Sequence, residues 1–195
     1  MWDERYAGTE YVYGTQPNDF LAEMVDRIPA GPVLCLADGE GRNGVFVATR
    51  GHAVTSVDAS SVGLAKARAL AAERGVALET VQADLASFDL GEGRWAGIVS
   101  IFCHLPPAIR GPLYAQVARS LMPGGVLVLE AYGPGQLGRG TGGPPVVEMM
   151  PDAATLEAEV PGLAWEHRYE GERSVVEGWG HTGDAWVVQL IGRRR

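Results

Sequence analysis

Apolar residues fall along this chain in two patterns: short continuous runs, and stretches where they return every three or four positions. The runs are Val33–Leu36, Ala53–Asp58, Leu78–Val81, Trp95–Ile101 and Val126–Ala131, dense in Val, Leu and Ile and nearly free of charge. Runs of that length without polar alternation suit strands buried on both faces. Between them lie helical patterns: one from about Arg42 to Gly51, one capped by Ser60 and running through Arg74 to Gly75, and one from Pro107 through Leu121. Strand, helix and strand at this spacing require parallel strands and right-handed crossovers. An open α/β sheet follows.

The ends of the chain complete that sheet. Residues 1–30 read as an arm carrying Trp2, Tyr6, Tyr11 and Tyr13, then a covering helix capped by Asn18 or Asp19 with Phe20, Leu21, Met24, Val25 and Ile28 on one face. Pro123-Gly124-Gly125 reads as a sharp turn into the fifth strand, and residues 133–150 as a Gly/Pro-rich loop at that strand's carboxyl end. A short helix near Asp152 to Val160 precedes two strand-like runs, Leu163 to Glu177 and Asp184 to Ile191. No helix separates them, so residues 178–183 are expected to close an antiparallel hairpin at the sheet edge. The predicted fold is a single domain over 1–195: a Rossmann-like three-layer sandwich with a mostly parallel seven-stranded sheet and a C-terminal antiparallel hairpin.

Chemistry concentrates after the first strand. Gly39-Glu40-Gly41-Arg42-Asn43-Gly44 matches G-x-G-x-x-G, and Asp58 follows at about the interval of ~20 residues expected of a dinucleotide fingerprint. A nicotinamide oxidoreductase is therefore one reading. Against it, Asp38 and Glu40 bring negative charge where a pyrophosphate would sit, no substrate domain follows, and the sheet ends in a hairpin. S-adenosylmethionine, with a ribose, an adenine and a cationic end, suits acidic surroundings better. Composition narrows the partners: 195 residues with 46% hydrophobic and 21% charged content give an ordinary domain, and a net charge of -8 argues against nucleic acid. No apolar run approaches the ~20 residues of a membrane span, and the first residues lack a signal-peptide layout, so a cytoplasmic location and no membrane partner are expected. The two cysteines, Cys35 and Cys103, have no metal spacing and read as buried packing groups. Oligomeric state is not readable.

The order of elements, the glycine turn, Asp58, Asp84 after the third strand and Pro123-Gly124-Gly125 together resemble a class I S-adenosylmethionine-dependent methyltransferase across nearly the whole chain. Within that class, Trp2-Asp3-Glu4-Arg5-Tyr6, Tyr13-Gly14 and Gly39-Glu40-Gly41-Arg42-Asn43 are similar to the small tellurite-resistance and thiopurine-type methyltransferases. The resemblance implies a cofactor site of Tyr13, Ala37, Asp38, Gly39, Gly41, Arg42, Asn43, Asp58, Ala59, Ala83, Asp84, Leu85, Phe102 and Cys103. In it the glycines face the methionyl part, Asp58 the ribose hydroxyls, and Ala83 to Leu85 the adenine. The family usually has an acid where Cys35 stands and a glycine at Ala37, so Asp38 or Glu40 is expected to supply the missing carboxylate.

Acceptor-side candidates are His104, placed beyond the fourth strand as a possible base, and His181 and Arg139 as substrate contacts, with Glu177, Gln136 and Thr141 nearby in sequence. Tyr11 and Tyr13 are placed to meet a sulfonium by cation–π contact. Methyl transfer is an in-line displacement, so the protein's task is alignment and exclusion of water, and no metal is expected. The expected acceptor is a small molecule. A module that binds the cofactor without catalysis is the competing reading from a different class, because the turn departs from its usual pattern.

Overall fold

The chain was analysed as a computed structural model that describes residues 2–178 and 180–195; Met1 and Trp179 lie outside the described residues, as does the part of the hairpin turn expected at Trp179. Seven strands form one sheet: β1 (Pro32–Leu36), β2 (Ala53–Asp58), β3 (Glu79–Gln82), β4 (Trp95–Ile101), β5 (Leu121–Tyr132), β6 (Leu163–Glu177) and β7 (His181–Arg194). Their order is β3-β2-β1-β4-β5-β7-β6. The first five pair in parallel, and β7 slots antiparallel between β5 and β6. That is the expected mixed sheet, with its hairpin at the edge.

Strand periodicity decides the layers, because successive side chains leave opposite faces. Val33 and Cys35 pack with Val54, Val99, Val126 and Val128 on one face, and Leu34 and Leu36 with Ile98, Leu127 and Leu129 on the other. The first face is covered by α2 (Asp19–Met24), through Phe20 and Leu21, and by α3 (Arg42–Thr49), through Val47 and Ala48. On α3 lies α4 (Ser61–Glu73), which meets Val45 with Leu70 and Ala71. The second face is covered by α5 (Pro107–Tyr114), α6 (Val117–Ser120) and α7 (Ala153–Glu159), through Leu113, Tyr114, Val117 and Leu156. Each fully buried Val, Leu, Ile or Phe among these contributes about 1.5–3 kcal/mol.

Caps fix where the helices start. Asn18, Ser60 and Asp152 each accept a backbone N–H two or three residues into their helix, from Leu21, Gly63 and Thr155. The arm ahead of Asn18 is not wholly irregular, for Trp2–Tyr6 forms a short helix, α1, packed on α4. Its Asp3 carboxylate accepts the Ser60 hydroxyl at 2.5 Å and the Val62 N–H at 3.3 Å.

Three boundaries differ from the sequence expectation. Pro123-Gly124-Gly125 is a bulge inside β5 and not a turn before it: Trp95 pairs with Leu121, Gly97 already with Val126, and Gly124 takes φ 78°. Because Leu121 is already strand, the helix expected over 107–121 ends early and splits into α5 and α6. The hairpin closes tighter than 178–183, since Glu177, Val176 and Val175 pair with His181, Thr182 and Gly183.

After β1, Ala37 adopts φ 48°, a left-handed conformation that costs a side-chain-bearing residue about 1–2 kcal/mol. Ala37→Gly removes that strain and adds about 0.5–1 kcal/mol of unfolded-state freedom. The expected outcome is a net gain of about 0.5–1 kcal/mol, read as a higher denaturant midpoint at unchanged slope; a lower midpoint contradicts the strain assignment.

Candidate functional site

A cavity of about 680 Å³ opens at the carboxyl ends of β1, β2 and β4. It lies where the strand order reverses between β1 and β4, the place at which open α/β sheets bind ligands, and within the ~300–1,000 Å³ usual for small-molecule sites. Thirteen of the residues expected to hold the cofactor line it: Tyr13, Ala37, Asp38, Gly39, Arg42, Asn43, Asp58, Ala59, Ala83, Asp84, Leu85, Phe102 and Cys103. Gly41 does not. At φ 85° it starts α3, and a Cβ there would stand 2.5 Å from the Ala67 Cβ, so its small size serves the packing of the turn on α4.

The turn is locked by two carboxylates. Asp58, at the end of β2, accepts the Gly39 N–H at 2.9 Å and the Ser60 N–H at 2.8 Å. Burial raises its pKa, while those backbone hydrogen bonds oppose the rise. Asp38 turns inward, accepting the Gly44 N–H at 3.1 Å and the Ser56 hydroxyl at 2.5 Å. It therefore gives the turn its carboxylate three residues beyond Cys35. Burial pushes its pKa up to about 7, against the lowering effect of both hydrogen bonds. Glu40 is spoken for as well, taking the Val12 N–H at 2.8 Å and the Lys66 ammonium at 2.7 Å. The expectation that Asp38 and Glu40 offer open negative charge to a ligand is thus corrected: one is buried beneath the turn and the other is paired.

On the neighbouring strand end, Asp84 accepts the Ala86 N–H at 2.9 Å through Oδ1. Its Oδ2 has no partner among the described residues, and Ala83 and Leu85 flank it on the cavity wall. Arg42 and Asn43 line the cavity but direct their polar atoms elsewhere: Arg42 ion-pairs with Glu177, and Asn43 Oδ1 accepts the Asn18 N–H at 2.9 Å.

The opposite end is aromatic. Phe102 takes φ 50°, and its carbonyl accepts the His104 N–H at 3.0 Å. Ring centroids of Phe102 and Tyr132 lie 4.6 Å apart, Tyr13 and His181 4.5 Å, and Phe102 and His181 4.7 Å. His104 lines this end, but both of its nitrogens are engaged: Nδ1 donates to the Met149 carbonyl at 3.1 Å, and Nε2 accepts the Tyr132 N–H at 3.4 Å. Burial holds its pKa at about 4. The role of base expected of His104 is corrected to that of a brace between β5 and the 133–150 loop. His181 also lines the cavity, held at a pKa of about 3 by burial and by the nearby Arg42 and Arg5 charges.

Arg139 is not at the site. It donates to the Gly135 carbonyl at 2.8 Å and to Glu172 at 2.7 Å, with its guanidinium over Trp186, so its expected substrate contact is withdrawn. Gln136 is buried and bonds Thr141, the Gly142 carbonyl and the Trp186 N–H, which folds the loop back onto itself. What reaches the cavity from that loop is Gly143, Pro144, Pro145 and Met149. Tyr11 likewise turns away, its hydroxyl donating to the Lys66 carbonyl at 3.2 Å. Trp2, Arg5 and Tyr6 of α1 form a further wall, whose signal in the sequence was its aromatic density. Among the described residues no group of His, Cys, Asp and Glu could hold a metal, and no helix is long and apolar enough to cross a membrane.

With this geometry in view, residues 33–125 match the model of a methyltransferase domain family. A curated relative, 2-heptyl-1-hydroxyquinolin-4(1H)-one methyltransferase from Mycobacteroides abscessus, is 28% identical over 113 residues, 56% of this chain and 50% of that protein. The chain thus matches half the length of that relative. Among solved structures, TehB from Haemophilus influenzae superposes with a TM-score of 0.75 at 16% identity, covering 100% of this chain and 66% of that one. A TehB-like SAM-dependent methyltransferase from Corynebacterium glutamicum gives 0.63 at 20% identity, covering 100% and 94%. Residues 33–125, just under half of the chain, are thus similar to a methyltransferase domain, and the chain shares the fold of these structures, one of which is named for its dependence on S-adenosylmethionine. The cavity fits it: Asp58 and the uncommitted Oδ2 of Asp84 can accept hydroxyl or amino hydrogens, and the aromatic end suits a cation.

Asp38 gives the turn a pH signature. Its folded pKa of about 7 stands above the ordinary 3.8, so its contribution to stability is fully present below pH ~4 and is lost as pH rises through about 7. Asp38→Asn keeps an acceptor for Gly44 and stays neutral. The variant is expected to match the parent near pH 4 and to exceed it in unfolding free energy at pH 8; parallel stability curves across that range overturn the assignment.

Proposed function

We propose that this protein is an S-adenosylmethionine-dependent methyltransferase acting on a small-molecule acceptor. One observation carries the reading: Asp58 is fixed at the end of β2 by the Gly39 and Ser60 N–H groups, inside a cavity whose other end is aromatic. A carboxylate so placed suits a ribose, and rings suit a sulfonium. When bound, the cofactor supplies a methyl group activated by a positive sulfur. Asp58, Asp84 and the glycine turn hold it; Phe102, Tyr13 and the 143–149 segment orient the acceptor and keep water out. The quinolone relative's name supports an acceptor of low molecular weight, and the acidic chain supports the absence of a nucleic-acid partner. The strained Ala37, standing where such a turn favours glycine, gives weight to a second reading as a binding module without turnover.

Calorimetry with S-adenosylmethionine and NAD in parallel tests the proposal. The methyl donor is expected to bind and NAD not to, and Asp58→Ala is expected to weaken the donor by about 1.5–3 kcal/mol, roughly 10- to 100-fold. Binding of NAD alone overturns it. Donor binding without S-adenosylhomocysteine release across hydroxyl, thiol and oxyanion acceptors favours the module.

A further inference from the structure

The aromatic end of the cavity keeps a polar group that the fold does not use. His181 is 8% exposed, and its Nδ1 is closed off without a hydrogen-bond partner. Nε2 makes no hydrogen bond among the described residues and is not closed off with it, which leaves it as the ring's polar atom toward the cavity. The ring cannot swing freely to find a partner, for it is held against Tyr13, Phe102 and Tyr132 at 4.5, 4.7 and 5.3 Å. Orphaned buried N–H groups are rarer than under-satisfied acceptors. The bare nitrogen is therefore Nδ1, and Nε2 carries the hydrogen.

The charges around that N–H are arranged for an anion. Arg42 is answered by Glu177. Arg5 lines the cavity with its guanidinium 5.5 Å from the Tyr13 ring centre and 5.6 Å from that of Trp2, and has no carboxylate partner among the described residues. Of the carboxylates that line the cavity, Asp58 and Asp38 are engaged on backbone N–H groups and Glu40 on Lys66, while Asp84, with one free oxygen, stands with Ala83 and Leu85 at the end of β3. Beside His181 stand the rings of Tyr13, Phe102 and Tyr132, and the cavity lining also includes the apolar Leu105, Ile109, Pro144, Pro145 and Met149. Such a wall lacks the several donors that a bare inorganic oxyanion needs.

We propose that the His181 Nε2–H and the Arg5 guanidinium together hold the acceptor's reacting heteroatom as an anion, so that the acceptor is an apolar molecule with one acidic hydroxyl or thiol. The inference rests on the methyltransferase reading for the word acceptor, and on the cavity alone for the anion site. His181 is then a residue that touches substrate, while His104 braces the loop.

The chain has four histidines, so side-chain nitrogen NMR on ¹⁵N-histidine protein resolves the tautomers directly. The expected result is a neutral His181 with hydrogen on Nε2 and a neutral His104 with hydrogen on Nδ1. At pH 8, 4-nitrophenolate should shift the His181 signals, its uncharged methyl ether 4-nitroanisole should not, and selenite should not. Arg5→Gln, an exposed substitution, should weaken 4-nitrophenolate about tenfold while leaving the His181 tautomer intact. His181→Gln should retain binding better than His181→Phe. Hydrogen on Nδ1 of His181, equal effects of the two nitroaromatics, or stronger binding of selenite overturns the proposal. Titrating the same sample with S-adenosylmethionine separates the two levels. Donor binding without a 4-nitrophenolate response sinks the anion site alone, and a 4-nitrophenolate response without donor binding sinks the methyltransferase reading alone.

Discussion

A set of buried charges holds the two ends of the cavity in register. Glu130, fully buried in β5, accepts from Arg173, Gln189 and Asn18; Glu177, at the end of β6, accepts from Arg42, Arg173 and Asn18. Two buried carboxylates meet two guanidiniums, and the exposed Asp19 adds a third carboxylate to Arg173 at 3.3 Å. Burial raises the Glu130 pKa even with Arg173 beside it, which shows how heavily desolvation weighs there. Removing one member of such a set is worse than never having it, because the remaining charge is stranded, at about 3–5 kcal/mol. Through these contacts the cap of α2, the start of α3, the middle of β5 and the hairpin become one body. Arg42 lies just past the glycine turn, and Glu177 pairs in the ladder with His181. The network therefore sets the spacing between the glycine-turn end and the aromatic end of the cavity, which Arg42 itself lines.

The glycine turn shows the same economy at smaller scale. Ala37 and Phe102 both sit at positive φ, at the ends of the two strands that frame the switch point. Strain of that kind persists only where surrounding contacts over-determine the backbone. Here they do: Gly39 is tied to Asp58, Gly44 to Asp38, the Asp38 N–H to the Val57 carbonyl and the Phe102 N–H to the Glu130 carbonyl. The loss of the usual acid at Cys35 and the usual glycine at Ala37 is thus answered locally, by a carboxylate arriving from a different position and by tethers that tolerate an alanine.

How much of this was legible in the sequence depends on range. Continuous apolar runs and capping residues act over a few positions, so the strands, their order of appearance and the helix starts at Ser60 and Asp152 could be read directly. Residues at strand ends, such as Asp58 and Asp84, could be placed at the cavity because topology alone puts them there. What failed was partner identity. His104 lies where the sequence put it, yet its nitrogens are taken by Met149 and Tyr132, contacts 45 and 28 residues away that no local pattern encodes. Arg139 belongs to a loop correctly expected near the cavity, but Glu172 and the Gly135 carbonyl draw it aside. The Asn18–Glu130–Glu177 network was invisible for the same reason: Glu130 reads as one polar residue in an apolar strand until Arg173 is folded against it.

The cavity also has to avoid reacting with what it holds. Cys103 lines it beside Phe102, and a thiolate there would compete with any acceptor for an activated methyl group. Burial pushes the Cys103 thiol up to about 12, so at neutral pH it stays protonated and poorly nucleophilic. Cys35 is shifted in the same direction by the same cause. Burial thus acts oppositely on the two kinds of titratable group at this site: it silences the thiols by keeping their protons on, and it keeps His181 and His104 neutral by keeping protons off. The thiols are consequently held in their unreactive, protonated form, while the neutral imidazoles keep a lone pair, which at His104 is taken up by the Tyr132 N–H.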